Sequence, residues 1–288
     1  LAPHDLLVVF GADPLRMSVH DELEPLPQGM PMVQVGLVDW ELGKNFATEI
    51  AIKADVRETL NALTPRLQAL GGSDLGERAR QRLSALMQDN WRTRRAALVA
   101  QLETRATQQP IDADWLLLQT IEALPERAIF VEESLTAARH IPALLPYRDR
   151  YGFSGLASGG IGWGLPGAVG SALANPDRPV VCFLGDGSAM YSLQALWTAA
   201  NHGAHVKVVL INNGGYRIIK QRLQAFHGSR HFVGMDFADP AVHYADLAAS
   251  MGVASQRISE GDGLGEALRQ AFARPGTELI EVMVDGTV

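Results

Sequence analysis

The sequence predicts an α/β protein. A doubly wound parallel sheet is expected over residues 109–288, a partial second α/β domain over 1–72, and a helical connector over 73–108. Three observations carry this. From Ile111 onward strand and helix patterns alternate, the order of a parallel sheet covered on both faces. The strand at 180–184 is solidly apolar and that at 206–211 is apolar except for Lys207, rather than alternating, as strands buried on both sides are. Those same two strands end in chemistry, Gly185-Asp186-Gly187 and Asn212-Asn213-Gly214-Gly215, with one helix between them.

Composition narrows the field. At 288 residues and 47 % apolar content, the chain has material for two cores. A net charge of −7 argues against nucleic acid or an anionic membrane surface as a partner. The single cysteine, Cys182, cannot form an internal disulfide, so a cytoplasmic protein is expected. No apolar run reaches the roughly 18–20 residues that span a bilayer, and no signal peptide opens the chain. Leu1 stands almost directly before a strand, so the sequence reads as beginning inside a domain.

In chain order, Leu6–Phe10 is an apolar run closed by Gly11-Ala12-Asp13-Pro14, a buried strand and its turn. That glycine is read as a plain turn, because no full glycine-rich dinucleotide fingerprint surrounds it. Residues 32–38 and 49–52 repeat the strand pattern. Val56, Leu60, Leu63, Leu67 and Leu70 then fall at helical spacing. Gly71-Gly72-Ser73-Asp74 predicts a break with Ser73 or Asp74 as the next cap. Over 75–108 the arginines interleaved with leucines read as a solvated face rather than a binding patch.

In the second domain a helix is expected over 112–124, a strand over 128–131 and a handover turn at Glu132-Glu133-Ser134-Leu135-Thr136. The glycine-rich run Gly159-Gly160-Ile161-Gly162-Trp163-Gly164 precedes a small-residue helix reaching Ala174, with Pro166 in its first turn. Strands at 253–258 and 278–284, and helices at 193–202, 216–226, 242–251 and 264–273, complete the alternation. Ligands of such sheets bind beyond the carboxyl ends of the strands, where every one of these motifs falls.

The chemistry there suits a metal-bound diphosphate. Mg²⁺ takes about six oxygens, few of them from protein when phosphates supply the rest. Asp186 offers a carboxylate, Asn213 an amide oxygen and Gly215 a backbone carbonyl, while Gly187 and Ser188 bring N–H groups to a helix start. Asp-Gly and Asn-Gly alone are ordinary turn sequences. Paired on consecutive strands, they are far more specific.

Gly185-Asp186-Gly187 with Asn212-Asn213 resembles the cofactor motif of the thiamin-diphosphate enzymes of the pyruvate-decarboxylase and acetolactate-synthase superfamily. Glu133-Ser134-Leu135-Thr136 resembles the diphosphate turn of that family. Gly159-Gly160-Ile161-Gly162 with Leu165-Pro166 resembles its aminopyrimidine segment, and residues 185–200 are especially similar to benzoylformate decarboxylases. The resemblance implies Mg²⁺ on Asp186, Asn213 and the Gly215 carbonyl. It implies diphosphate contacts from Ser188 and Thr136, with backbone help from Gly187 and Leu135. Gly159 would accept from the cofactor's 4′-amino group, Ile161 would wedge beneath the bent cofactor, and Tyr216 would lie next to the metal loop. The implied substrate is a 2-oxo acid, with the electron sink supplied by the cofactor.

The resemblance also implies an amino-terminal pyrimidine-binding domain, carrying the glutamate that activates the cofactor. That domain is expected before Leu1, so the chain reads as a carboxyl-terminal portion with no activating residue of its own; Glu132 and Glu133 are not given that part. The missing domain is expected from a neighbouring subunit, making the complete enzyme a homodimer or homotetramer. A benzoylformate-type decarboxylase is the leading reading, an acetolactate-synthase-type carboligase the second, and a non-catalytic cofactor-binding module the third.

Departures temper the substrate. Ser18, with His20 nearby, stands where benzoylformate decarboxylases carry a substrate-side histidine. Arg217 reads as a solvated helix-start residue ahead of a substrate-carboxylate contact. His227 and His231 read as surface residues, Cys182 as core, and Trp163 and Trp197 as helix packing.

Overall fold

The computed structural model describes residues 1, 4–14, 24–157 and 159–288. The chain divides into two units, Leu1–Gln88 and Asp89–Val288. Ser18 and His20 lie outside the described residues.

The first unit is a three-stranded parallel sheet of β1 (Leu7–Phe10), β2 (Met32–Gly36) and β3 (Ile50–Lys53), in that spatial order. Helix α1 (Val56–Gln88) follows and buries none of its residues. Met32 and Val35 are buried, yet Val8, Ile50 and Ile52 are exposed, so the sheet is covered on part of its surface only. The expected break at 71–74 is a single residue wide. It falls at Gly72, whose φ of 54° and ψ of −160° are non-helical, so α1 is two helical segments joined across a kink there.

The unit boundary at Gln88 falls inside the stretch expected to be one connector. Helix α2 (Trp91–Glu103) is separately capped by Asn90, whose side chain accepts from the Thr93 N–H while the Thr93 hydroxyl accepts from the Asn90 N–H. Its Leu102 is fully buried in the core of the second unit.

That second unit follows the alternation closely. Helix α3 (Ala113–Ala123), capped by Asp112, leads to β4 (Ile129–Glu133), α4 (Ile141–Leu144), β5 (Phe153–Ser154), α5 (Gly164–Ala174) and β6 (Val180–Gly185). Then come α6 (Asp186–Ala189), α7 (Ala195–Asn201), β7 (Val206–Asn212), α8 (Arg217–His227), α9 (Tyr244–Ser250), β8 (Ala254–Ile258), α10 (Leu264–Ala273) and β9 (Glu278–Met283). The six strands β4–β9 run parallel in the order β5-β4-β6-β7-β9-β8. The fold is the predicted doubly wound parallel sheet.

Alternate residues of each strand feed opposite cores. Phe130, Val181, Phe183, Val209 and Ile280 join α3 and α10 on one face. Val131, Val180, Cys182, Val208 and Leu210 join α5, α7 and α9 on the other. Covering both faces is why the central strands β6 and β7 are nearly continuous apolar runs, broken in β7 by Lys207, which pairs with Glu278, and by the terminal Asn212. Beta4 leads out to β5, whereas β6 leads away to β7, so the strand order reverses between β4 and β6. A crevice opens at such a reversal. Among the described residues no helix is long and apolar enough to cross a membrane.

Candidate functional site

Four segments meet at the carboxyl edge of this sheet: residues 134–136 after β4, 159–163 after β5, 186–188 after β6 and 213–216 after β7. The expected handover turn starts later than the sequence suggested. Beta4 continues through Glu133, so Glu132 and Glu133 are strand residues and the turn is Ser134-Leu135-Thr136. Glu132 shapes it by accepting from the Ser134 N–H at 2.6 Å and from the Ser134 hydroxyl at 3.2 Å. Leu135 stands at φ 40°, a costly geometry for a branched side chain that concentrates at functional sites.

The carboxylate of Asp186 is 1 % exposed and organises the loop after β7. One oxygen accepts from the Asn213 N–H at 3.0 Å and the Gly215 N–H at 3.1 Å; the other accepts from the Gly187 N–H at 2.8 Å. Burial pushes the Asp186 carboxyl up to about 6, against the opposing pull of the Gly187, Gly215, Gly214 and Asn213 N–H groups. The Gly187 N–H, expected to face a diphosphate, is thus already engaged.

The side-chain oxygen of Asn213 is buried and has no hydrogen-bond partner. A buried acceptor without a donor costs free energy unless something outside the protein completes it. The deficit is an oxygen facing no N–H or O–H, on a loop tied to an ionisable carboxylate, and a hard cation such as Mg²⁺ satisfies it. The residues present therefore fit the metal. The Gly215 carbonyl accepts from the Arg217 N–H at 2.9 Å, which leaves it one further lone pair.

Close packing fixes this loop. A Cβ on Gly215 would lie 2.2 Å from the Met235 carbonyl oxygen, and one on Gly187 would lie 2.8 Å from the Tyr216 ring. Tyr216 therefore sits against both the Asp-Gly turn and, edge-on at 4.8 Å, Phe237. Burial and the neighbouring Tyr191 raise its hydroxyl above the usual range. Ser188 is buried beside Asp186; Thr136 is half-buried, and Gly159 and Ile161 are exposed in the loop after β5.

The supporting hydrogen bonds of the site were not foreseen from the sequence. Asn212 donates to Glu281 at 2.7 Å and accepts from the Gly214 N–H at 3.0 Å, bracing the 213–215 loop. Tyr244 is fully buried and donates to the Asp186 carbonyl at 3.1 Å. Burial raises that phenol too, with the Asp186 carboxylate adding to it. Glu133, 1 % exposed, accepts from the Gly162 and Gly164 N–H groups. A carboxylate at the end of an apolar strand was the available signal for it.

Other expectations divide. Cys182 is core, and its thiol is pushed up by burial. His227 and His231 are exposed, as expected. Arg217 is not simply solvated, since it donates to the Thr287 carbonyl and ties the last residues to the start of α8. Trp197 is 59 % exposed rather than packed, because α7 turns only Leu196 and Ala199 inward. Trp163 lies at the start of α5, partly buried against the sheet core, with its indole N–H buried and unpartnered.

This geometry coincides with a family match. The family described as "Thiamine pyrophosphate enzyme, C-terminal TPP binding domain" matches residues 134–282. The chain belongs to that family. Benzoylformate decarboxylase of Pseudomonas aeruginosa is 30 % identical over 281 residues, covering 97 % of this chain and 48 % of that protein. IlvX of Mycobacterium tuberculosis, named after the acetolactate synthase large subunit, is 39 % identical over 170 residues, covering 57 % of this chain and 33 % of its own. Among solved structures, the thiamine diphosphate-dependent 4-hydroxybenzoylformate decarboxylase of Rhodococcus jostii RHA1 superposes with a TM-score of 0.75 at 25 % identity. That likeness covers 99 % of this chain and 49 % of that one. The chain thus spans a third to about half the length of these relatives.

Proposed function

We propose that the chain supplies the diphosphate- and Mg²⁺-binding half of a thiamin-diphosphate-dependent 2-oxo-acid decarboxylase of the benzoylformate type. The observation that carries this reading is the buried, unpartnered Asn213 oxygen on a loop held by the Asp186 carboxylate. Asp186, Asn213 and the Gly215 carbonyl would hold the cation, and the 134–136 turn and Ser188 would receive the diphosphate. Gly159 and Ile161 would meet the aminopyrimidine and the underside of the cofactor. When bound, the cofactor would supply the electron sink that decarboxylation needs. The chain's own part is to bind and orient the cofactor and to neutralise its diphosphate. Tyr244 and Asn212 keep Asp186 and the 213–215 loop in place while it does so.

The activating carboxylate is then supplied by a pyrimidine-binding domain, placed across the cofactor by a neighbouring subunit of a homodimer or homotetramer. The purified 288-residue chain is expected to bind Mg²⁺ and thiamin diphosphate yet release no CO₂ from benzoylformate or pyruvate. Turnover by this chain alone would refute the need for the second face. The relative named for acetolactate synthase favours a second reading, a carboligase. The native assembly distinguishes the two: benzaldehyde from benzoylformate supports the first, whereas acetolactate from pyruvate together with bound flavin absorbance supports the second.

A further inference from the structure

We propose that Glu133 is a positioning residue that locks the loop after β5 to the turn after β4, so that the two ends of the cofactor are gripped in fixed register. The inference rests on the cofactor assignment made above and concerns a residue that assignment leaves without a role.

Glu133 is the last residue of β4, directly before the 134–136 turn. Its carboxylate is buried, and its two oxygens accept separately, one from the Gly162 N–H at 2.5 Å and one from the Gly164 N–H at 2.6 Å. Among the described residues no cation pairs with it, so backbone N–H groups alone hold a buried charge. Such bonds are short and about twice as strong as neutral ones. Gly164 opens the eleven-residue helix α5, whose positive end adds to the attraction.

Two consequences follow from this placement. The amino terminus of α5 is filled by the protein's own carboxylate, so a diphosphate cannot use it and is directed to the 134–136 turn and the 186–188 segment. The loop carrying Gly159 and Ile161 is pinned just past its tip, at Gly162, to the residue preceding the diphosphate turn. The spacing between the diphosphate grip and the pyrimidine grip is therefore set by one side chain. Gly164 permits the approach, since a Cβ there would lie 2.7 Å from the Glu133 Cβ. Only a carboxylate offers an acceptor on both sides; a glutamine would turn an NH₂ donor against one N–H.

The test uses the full chain with two probes, Mg²⁺ with inorganic diphosphate and Mg²⁺ with thiamin diphosphate, measured by calorimetry. Amide exchange at residues 160–164 is read alongside. Glu133→Gln is expected to bind inorganic diphosphate within about threefold of the parent. It should bind thiamin diphosphate about 10- to 100-fold more weakly, the effect of one lost charge-assisted bond, and its loop amides should exchange faster. Gly164→Ala keeps the charge but crowds it, and is expected to show the same split if Glu133→Gln does not fold. Equal weakening of both probes, or unchanged affinity with unchanged exchange, would overturn the proposal. A parent chain that binds neither probe would instead refute the cofactor assignment, while amide exchange still decides whether Glu133 pins the loop.

Discussion

Replacing Asp186 with asparagine should separate stability from metal binding. In the metal-free protein the Asp186 carboxyl is raised from an ordinary 3.8 to about 6 by burial. A rise of that size corresponds to about 3 kcal/mol. The sign follows from linkage. A carboxyl with a raised folded-state value favours the fold fully below the unfolded value, and that advantage is lost as pH climbs through the folded value. The metal-free chain should therefore lose about 3 kcal/mol between about pH 4 and pH 6 from this group alone. Asp186→Asn removes that loss but sacrifices an acceptor for one of the three backbone N–H groups, at about 1–3 kcal/mol. The variant should thus be less stable than the parent near pH 4 and equal or slightly more stable near pH 8. Denaturant unfolding at the two pH values reads the crossover. Calorimetry should show the opposite for function, with Mg²⁺-dependent binding of thiamin diphosphate lost. A variant more than about 3 kcal/mol less stable at pH 8, or one still binding cofactor in an Mg²⁺-dependent way, would refute the reasoning.

Further perturbations have separate signatures. Asn213→Ala removes an oxygen with no protein partner, so metal-free stability should change by less than about 1 kcal/mol while Mg²⁺ dependence disappears; thermal unfolding with and without the metal reads both. Tyr244→Phe deletes the hydroxyl donating to the Asp186 carbonyl and should cost about 1 kcal/mol in chemical denaturation. Gly215→Ala drives a methyl to 2.2 Å from the Met235 carbonyl, and should destabilise the loop by at least about 1–3 kcal/mol and weaken Mg²⁺. Below pH 6 the apparent Mg²⁺ affinity of the parent should fall, because protons compete for the Asp186 carboxylate.

Much of this architecture was legible because parallel strands buried on both faces read as nearly continuous apolar runs. Residues 180–184 and 206–211 announce themselves in that way, and the strand ends then fix where Asp186 and Asn213 lie. Beta5 was not legible, since two residues, Phe153 and Ser154, carry no periodicity. The break at Gly71–Asp74 was legible from its two glycines, and Gly72 is where helical geometry is interrupted and two helical segments join across a kink. Trp197 illustrates another limit. Helical spacing does not say which face turns inward, and in α7 the small Ala199 does so instead. Within the site, the candidate ligands Asp186, Asn213 and Gly215 were proposed from residue identity and spacing. The bracing by Glu133, Asn212, Tyr244 and Glu281 could not be foreseen, because it joins residues 29–69 positions apart or more widely supports them through backbone groups.

The central claim is that Asp186, Asn213 and Gly215 form a cation site facing a diphosphate. A crystal structure of the chain grown with Mn²⁺ and thiamin diphosphate, with anomalous data, tests it most directly. The predicted result is one strong peak within coordination distance of the Asp186 carboxylate, the Asn213 side-chain oxygen and the Gly215 carbonyl, with the diphosphate reaching the 134–136 turn. A peak elsewhere, or an Asn213 oxygen still unpartnered beside bound cofactor, would contradict the account.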